Sequence, residues 1–374
     1  MTKSEKPLRV LAYPAFKNRR VNPYNWLLSQ ALIARGVRVR ECDRHRLLTG
    51  DDDIWHLHWP EGTVRLNGDS SVVGAFRAAG LILMLWWGRW RGKRIVWTVH
   101  NLESHERRHP RLEAWFWTTF SRLIDGFIAL SDHGARAVRE RLVALRNAPG
   151  FVIPHGHYRD VYPKPISRSE ARQALDIGPG TRVLVYVGQI RPYKNVGPLI
   201  TEFRRLADPN LLLLVGGSPI NAQLADELRK AAGDDARIRL DLRFLPDDDI
   251  QRYVSASDLV ALPYRDILNS GSAILALSLN RPVLVPNAGA FGELQTLVGR
   301  DWVYTYDGAL AASHIEDALG RAIGSVRASV APLQTMEWDR IARATVDAYT
   351  AILNRGPALR DTPIPAGGLG TSRR

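Results

Sequence analysis

Short runs of Val, Ile and Leu alternate along the chain with longer stretches whose apolar residues recur at helical spacing. In the first half the runs are Leu8–Pro14, Val37–Cys42, Ile54–Trp59, Arg94–His100, Gly126–Leu130 and Phe151–His155. In the second they are Arg182–Ile190, Leu211–Gly217, Ile238–Leu245, Leu259–Tyr264, Pro282–Asn287 and Trp302–Tyr306. Alternation of this kind predicts βαβ units, hence an α/β chain built on parallel sheets. Each half holds enough strands for its own doubly wound, Rossmann-like sheet. The aperiodic, proline-containing stretch from His157 to Ser167 separates them, which predicts domains over residues 1–160 and 161–335. One more helix is expected over Trp338–Leu353, and the Pro- and Gly-containing tail 354–374 reads as disordered.

Composition adds bounds rather than a function. The 374 residues, 45% hydrophobic and 24% charged, suit a soluble globular chain of two domains. A lone cysteine, Cys42, excludes an internal disulfide and a Cys-based zinc cluster. The opening MTKSEKPLRV lacks the layout of a signal peptide, so a cytoplasmic location is expected. The net charge of +13 calls for a polyanionic partner: nucleic acid, an anionic membrane leaflet or a nucleotide diphosphate.

Ligands of doubly wound sheets sit beyond the C-terminal ends of the strands, and unusual clusters fall there. Gly188-Gln-Ile-Arg-Pro-Tyr-Lys194 follows a strand, so Arg191 and Lys194 offer a fork and a point charge to a diphosphate, while Gly188 lets the backbone approach. After Tyr264, the residues Asn269, Ser270 and Gly271 occupy the cap and first turn of an apolar helix, whose amide hydrogens and dipole favour an anion. No Gly-x-Gly-x-x-Gly or Walker sequence occurs. In the first half, His56-Leu-His-Trp-Pro-Glu61 and His100-Asn-Leu-Glu-Ser-His-Glu106 end adjacent strands. His56 lies inside its strand and reads as a core histidine, whereas His58, Glu61, His100 and Glu106 suit acid–base work on a hydroxyl. No ligand set with zinc spacing accompanies them, and no metal is expected. His155-Gly156-His-Tyr-Arg159-Asp160, at the hinge, either touches a ligand or fixes the angle between the domains.

Residues 72–90 are different in kind. An eleven-residue apolar run ends in Trp86 and Trp87, and Arg89, Arg91, Lys93 and Arg94 follow. Eleven residues cannot span a bilayer. Arg107, Arg108 and Arg111, with Trp115 and Trp117, extend a basic and aromatic belt that fits an anionic lipid surface, although a core helix with a charged flank would look similar.

Taken in order, these clusters, with Asn22-Pro-Tyr24, Leu262-Pro-Tyr264 and Leu275-Ala-Leu-Ser-Leu-x-Arg-Pro-Val-Leu284, resemble the GDP-mannose:glycolipid 4-β-mannosyltransferases of xanthan-type exopolysaccharide assembly. The likeness covers about residues 20–340. It implies a GT-B fold, a sugar nucleotide donor held mainly by the second domain as co-substrate, no further cofactor and no metal. It further implies a polyprenyl-diphosphate-linked oligosaccharide acceptor, peripheral attachment to the inner face of the cell membrane, and a final helix that crosses back to the first domain. Mannose is named by the resemblance alone, so UDP-glucose or UDP-glucuronate stays open as donor. Larger retaining relatives carry two glutamates around the donor loop and helix; here those places read as Leu268 and Ala276, and Glu293 is the nearest remaining carboxylate for a ribose hydroxyl. The loss agrees with an inverting displacement.

Such a displacement needs a base for the acceptor hydroxyl, with Glu61 and Glu106 as candidates and His100 as a positioning group or alternative base. The leaving diphosphate would rest on Arg191, Lys194 and the helix start. A sugar-nucleotide 2-epimerase would use a similar cleft without a lipid acceptor. A basic nucleic-acid-binding protein is the rival from another class, but no binding motif supports it, and nucleic acid is not an expected partner.

Overall fold

The computed structural model describes residues 6–20, 22–64, 70–102, 109–162, 166–265 and 267–355, with the side chains of residues 44, 63 and 64 left aside. All twelve apolar runs form strands, most of them trimmed by a few residues. The first six are β1 (Arg9–Tyr13), β2 (Arg38–Glu41), β3 (Ile54–Leu57), β4 (Arg94–Val99), β5 (Gly126–Ala129) and β6 (Gly150–Val152). The second six are β7 (Arg182–Val187), β8 (Leu211–Gly216), β9 (Ile238–Asp241), β10 (Leu259–Ala261), β11 (Val283–Pro286) and β12 (Val303–Tyr306). The two sheets run β2-β1-β3-β4-β5-β6 and β12-β11-β10-β7-β8-β9, parallel throughout. The GT-B class expected from the sequence is the fold observed.

Strand alternation decides what covers each face of the first sheet. Val10 and Ala12 share a core with Leu28 and Leu32 of the helix Tyr24–Ala34 and with Ile341, Tyr349 and Ile352 of the last helix, Trp338–Asn354. Leu11, Ile95, Trp97 and Val99 turn the other way, onto Leu81 and Leu85 of the helix Ser71–Trp90 and Phe116 and Phe120 of the helix Pro110–Ser121. The last helix is tied to the first half by Arg35–Asp339 at 2.6 Å and by the Tyr349 hydroxyl on His56 Nδ1 at 2.6 Å. Gly156 marks where the chain passes the start of that helix, since a Cβ there would lie 2.3 Å from the Trp338 indole.

Each sheet has one place where the chain reverses its direction of travel across the strands. In the first it lies between β1 and β3, in the second between β7 and β10. Crevices open at such points, and here the two face one another.

Candidate active site

A cleft of about 510 Å³ lies between the sheets. Asn18, Arg20 and Asn22 line it from the loop after β1, and Trp59 from the end of β3. Gly188, Gln189 and Lys194 follow β7, Gly217 and Ser218 follow β8, and Gly271 and Ser272 begin the helix after β10. The loops after β7 and β8 touch: a Cβ on Gly217, whose φ is +149°, would fall 1.8 Å from the Gly188 carbonyl oxygen. Two glycines side by side therefore leave bare backbone facing the cleft.

Lys194 is the cation this cleft holds on its second-half wall. Its ammonium lies 5.2 Å from the centre of the Tyr264 ring, and burial with the nearby Arg191 charge lowers its pKa to about 8. Arg191, the other member of the expected pair, is turned aside; its guanidinium donates to Gln189 Oε1 and to the Ile190 carbonyl, both at 3.1 Å. Tyr264 is buried behind Lys194 and does not line the cleft. The helix Gly271–Ser278 starts as expected from Ser270, whose Oγ accepts from Ala273 N at 3.1 Å. Gly271 and Ser272 carry first-turn amide hydrogens without an intrahelical acceptor, and both line the cleft. Asn269 and Ser270 face a second cavity of about 450 Å³ on the far side of this loop, and Asn269 Nδ2 donates across it to the Val99 carbonyl at 3.4 Å. Of the residues expected to meet an anion, Gly188, Lys194 and Gly271 line the cleft, joined by Ser272.

The far end of the cleft is lined by Phe244, Leu245, Asp247 and Ile250, where β9 passes into the helix Asp247–Ala256. Asp247 is the single carboxylate among the described residues lining the cleft.

On the first-half wall Trp59 adopts φ +25°, rare for a bulky residue. This turns its indole onto the His100 imidazole, stacked at 4.0 Å and 20°. His100, expected near the reacting atoms, is therefore one layer back. Its Nε2 meets His58 Nδ1 at 3.1 Å, and both rings edge onto buried Tyr24. Burial, and repulsion among neighbouring imidazoles, hold both well below the ordinary histidine range, so they are neutral at pH 7. His56 is a core histidine, fixed by Thr98 and Tyr349, with its pKa lowered to about 3 by burial.

Glu61 sits in the first turn of the helix Pro60–Val64. Asn101 Nδ2 donates to its Oε1 at 2.9 Å, while Oε2 is buried with no partner among the described residues. Burial raises its pKa to about 7, near the value a general base needs at neutral pH. It follows Trp59 by two residues and is not among the residues lining the cleft. Glu106 falls outside the described residues, as does the tail from residue 356 onward.

The hinge residues make contacts with both halves. His155 Nδ1 contacts the Gly156 carbonyl at 2.7 Å, and its ring packs on Tyr24 at 4.6 Å. Arg159 donates to the Ala331 carbonyl at 2.7 Å, and Gly156 packs on Trp338. Glu293, expected beside a ribose, is not in the cleft. It accepts from Asp132 N at 2.7 Å and His133 N at 2.6 Å, at the start of the helix Asp132–Arg141 in the first half. Of the two replaced glutamate positions, Leu268 packs against the first-half core and Ala276 is buried. The apolar residue of that helix lining the cleft is instead Leu275.

The aromatic belt divides. The helix Ser71–Trp90 has 20 residues, longer than the sequence suggested and long enough to cross a membrane by length and composition. Gly74, Ala78, Leu81, Leu85 and Gly88 face inward along it. Phe76, Leu83, Trp86 and Trp90 are exposed on its outer side. Trp115 is also exposed, but Trp117 is core. Two of the belt cations serve the fold, since Arg89 and Arg94 reach Asp125 at 2.6 and 3.6 Å.

Sequences and structures of known proteins agree with this architecture. Sucrose-phosphate synthase of Thermosynechococcus elongatus superposes with a TM-score of 0.62 at 15% identity, over 92% of this chain and 95% of that one. WaaG, a glycosyltransferase involved in lipopolysaccharide biosynthesis, gives 0.60 at 16%, over 93% and 98%. These likenesses concern the fold, which is that of the GT-B glycosyltransferases. The family described as glycosyl transferases group 1 matches residues 181–328. The GDP-mannose:glycolipid 4-beta-D-mannosyltransferase of Xanthomonas campestris pv. campestris is 32% identical over 339 residues, 90% of either chain. The chain accordingly belongs to the group 1 glycosyl transferases, and it is a hexosyltransferase.

Proposed function

We propose that this chain transfers mannose from GDP-mannose, with inversion and in β linkage, onto a polyprenyl-diphosphate-linked oligosaccharide in exopolysaccharide biosynthesis. The observation that carries the reading is the likeness, across 90% of both chains, to an enzyme whose name states that donor, a glycolipid acceptor and that linkage. The cleft supports it in three ways. Lys194 and the amides of Gly271 and Ser272 suit the departing diphosphate. Asp247 suits guanine, whose N1–H and N2–H₂ both donate to a carboxylate; uracil offers one N–H between two carbonyls, which a carboxylate repels. The two places where larger retaining relatives carry glutamate are Leu268 and Ala276 here, which agrees with an inverting route.

In this mechanism the acceptor hydroxyl attacks the anomeric carbon, Glu61 takes its proton, and GDP leaves toward Lys194. Trp59 bounds the sugar site, and the neutral His58–His100 pair holds that indole in place. The protein works on the inner face of the cell membrane, resting on the outer side of the helix Ser71–Trp90. The test is incubation of purified protein with membrane lipid extract and a panel of labelled sugar nucleotides. Label from GDP-mannose should enter lipid; label from UDP-glucose or UDP-glucuronate in its place would overturn the donor assignment.

A further inference from the structure

The helix Ser71–Trp90 does not seal the sheet beneath it. Between it and the ends of β1 and β3 lies a third cavity, of about 620 Å³, well within the usual size range of small-molecule sites. Its inner wall is apolar, with Trp55 and Leu57 from β3 and Leu81, Met84 and Leu85 from the helix. None of the groups assigned above to the transfer reaction is in it.

Two observations say what would fill it. The first is charge. Lys17 and Arg77 line the cavity, both are exposed, and neither forms an ion pair among the described residues. The acid beside them, Asp43, is engaged: it caps the helix Arg44–Thr49 and pairs with Arg46 at 2.9 Å. The mouth therefore carries uncompensated positive charge over an apolar interior, the arrangement for an apolar chain that ends in phosphate.

The second is position. Lys17 belongs to the same loop after β1 as Asn18, Arg20 and Asn22, which line the donor cleft. That loop is pinned by Glu41 Oε2, which accepts the amide hydrogens of Ala15, Phe16 and Lys17 at 3.2, 2.7 and 3.1 Å. The cavity and the donor cleft thus lie back to back across one fixed loop. Outward, the cavity adjoins the helix that exposes Phe76, Leu83, Trp86 and Trp90.

We propose that this cavity receives the phosphate-proximal isoprenoid units of the acceptor lipid, with the diphosphate between Lys17 and Arg77 and the sugars passing over the loop into the cleft. The assignment rests on the lipid-linked acceptor reading above.

Gly80 supplies the test. It lines the cavity, and a Cβ built on it meets no atom within 4 Å, so Gly80→Phe would fill open space without disturbing the helix. Two acceptors with the same sugars are compared, one on a long polyprenyl diphosphate and one a short, water-soluble glycoside. Gly80→Phe should raise KM for the polyprenyl acceptor about tenfold or more and leave kcat/KM for the soluble one unchanged. Equal losses on both, or no loss on either, would overturn the proposal. The surface double variant Lys17→Gln/Arg77→Gln guards against misfolding, because it should raise KM only for the diphosphate-bearing acceptor. If Gly80→Phe instead weakens binding to acceptor-free phospholipid vesicles as strongly, the occupant is an acyl chain and the proposal fails. Wild-type enzyme that uses the soluble glycoside as well as the lipid one would sink the lipid-acceptor reading itself, a separate result.

Discussion

Glu293 and His133 meet across the gap between the two halves, carboxylate to amide nitrogen at 2.6 Å. With Asp132 N at 2.7 Å and Arg136 at 3.5 Å, an acid from the second half caps a helix of the first. Such a contact contributes up to about 2 kcal/mol when partly buried, roughly a thirtyfold bias toward closure. Glu293→Gln should therefore enlarge the radius of gyration of the free protein in small-angle scattering. Its affinity for donor nucleotide should stay within about threefold of wild type. A loss of a hundredfold would mean that Glu293 holds the ribose after all.

Lys194 gives a pH-dependent signature. Its free pKa is about 8, and a bound diphosphate raises it. Affinity for nucleoside diphosphate is then full below pH 8 and falls as pH rises above it, by up to about tenfold per unit. Lys194→Gln should weaken binding by about 1.5–3 kcal/mol and flatten that dependence. Titration calorimetry between pH 6.5 and 9.5 reads both.

Glu61 works as a base only when ionised. Because burial places its pKa at about 7, kcat/KM should climb as pH rises through 7 and then level off. Glu61→Gln should remove that limb and lower kcat by about 10²–10⁴-fold. If Glu61→Gln and Glu106→Gln both keep full transfer rate, the base lies elsewhere.

Asp247 can be tested by exchanging its donors and acceptors. Asp247→Asn should weaken GDP binding by about tenfold or more and improve binding of xanthosine diphosphate, whose C2 carbonyl an amide can meet. Wild-type protein that binds UDP as tightly as GDP would remove the guanine assignment.

The architecture was legible because its signal is local. Twelve short apolar runs became twelve strands, and the rule that ligands gather after strands led directly to Gly188, Lys194 and Gly271. Direction was harder to read. Arg191 and Lys194 stand three residues apart on one loop, yet only Lys194 faces the cleft, and Ser270 and Gly271 are neighbours that face different cavities. The contact of Glu293 was not legible for a related reason: the helix it caps lies some 160 residues away, which no local pattern records. Asp247 and Ser218 also line the cleft after strands, but Asp247 opens the run Asp247–Asp249, which reads as ordinary acids at a helix start, and Ser218 stands alone. The pair Gly216-Gly217, where β8 ends, is the signal for that wall.

The bond between Tyr349 and His56 has a consequence for how the protein is made. One face of the first sheet is closed in part by a helix 293 residues further along the chain, so the half that emerges first is completed only after the second half has been made. Until then Val10, Ile54 and Val96 have only the helix Tyr24–Ala34 as part of their cover, and the nascent half exposes apolar surface. A chain cut short before Trp338 would yield a sticky remnant rather than a smaller enzyme.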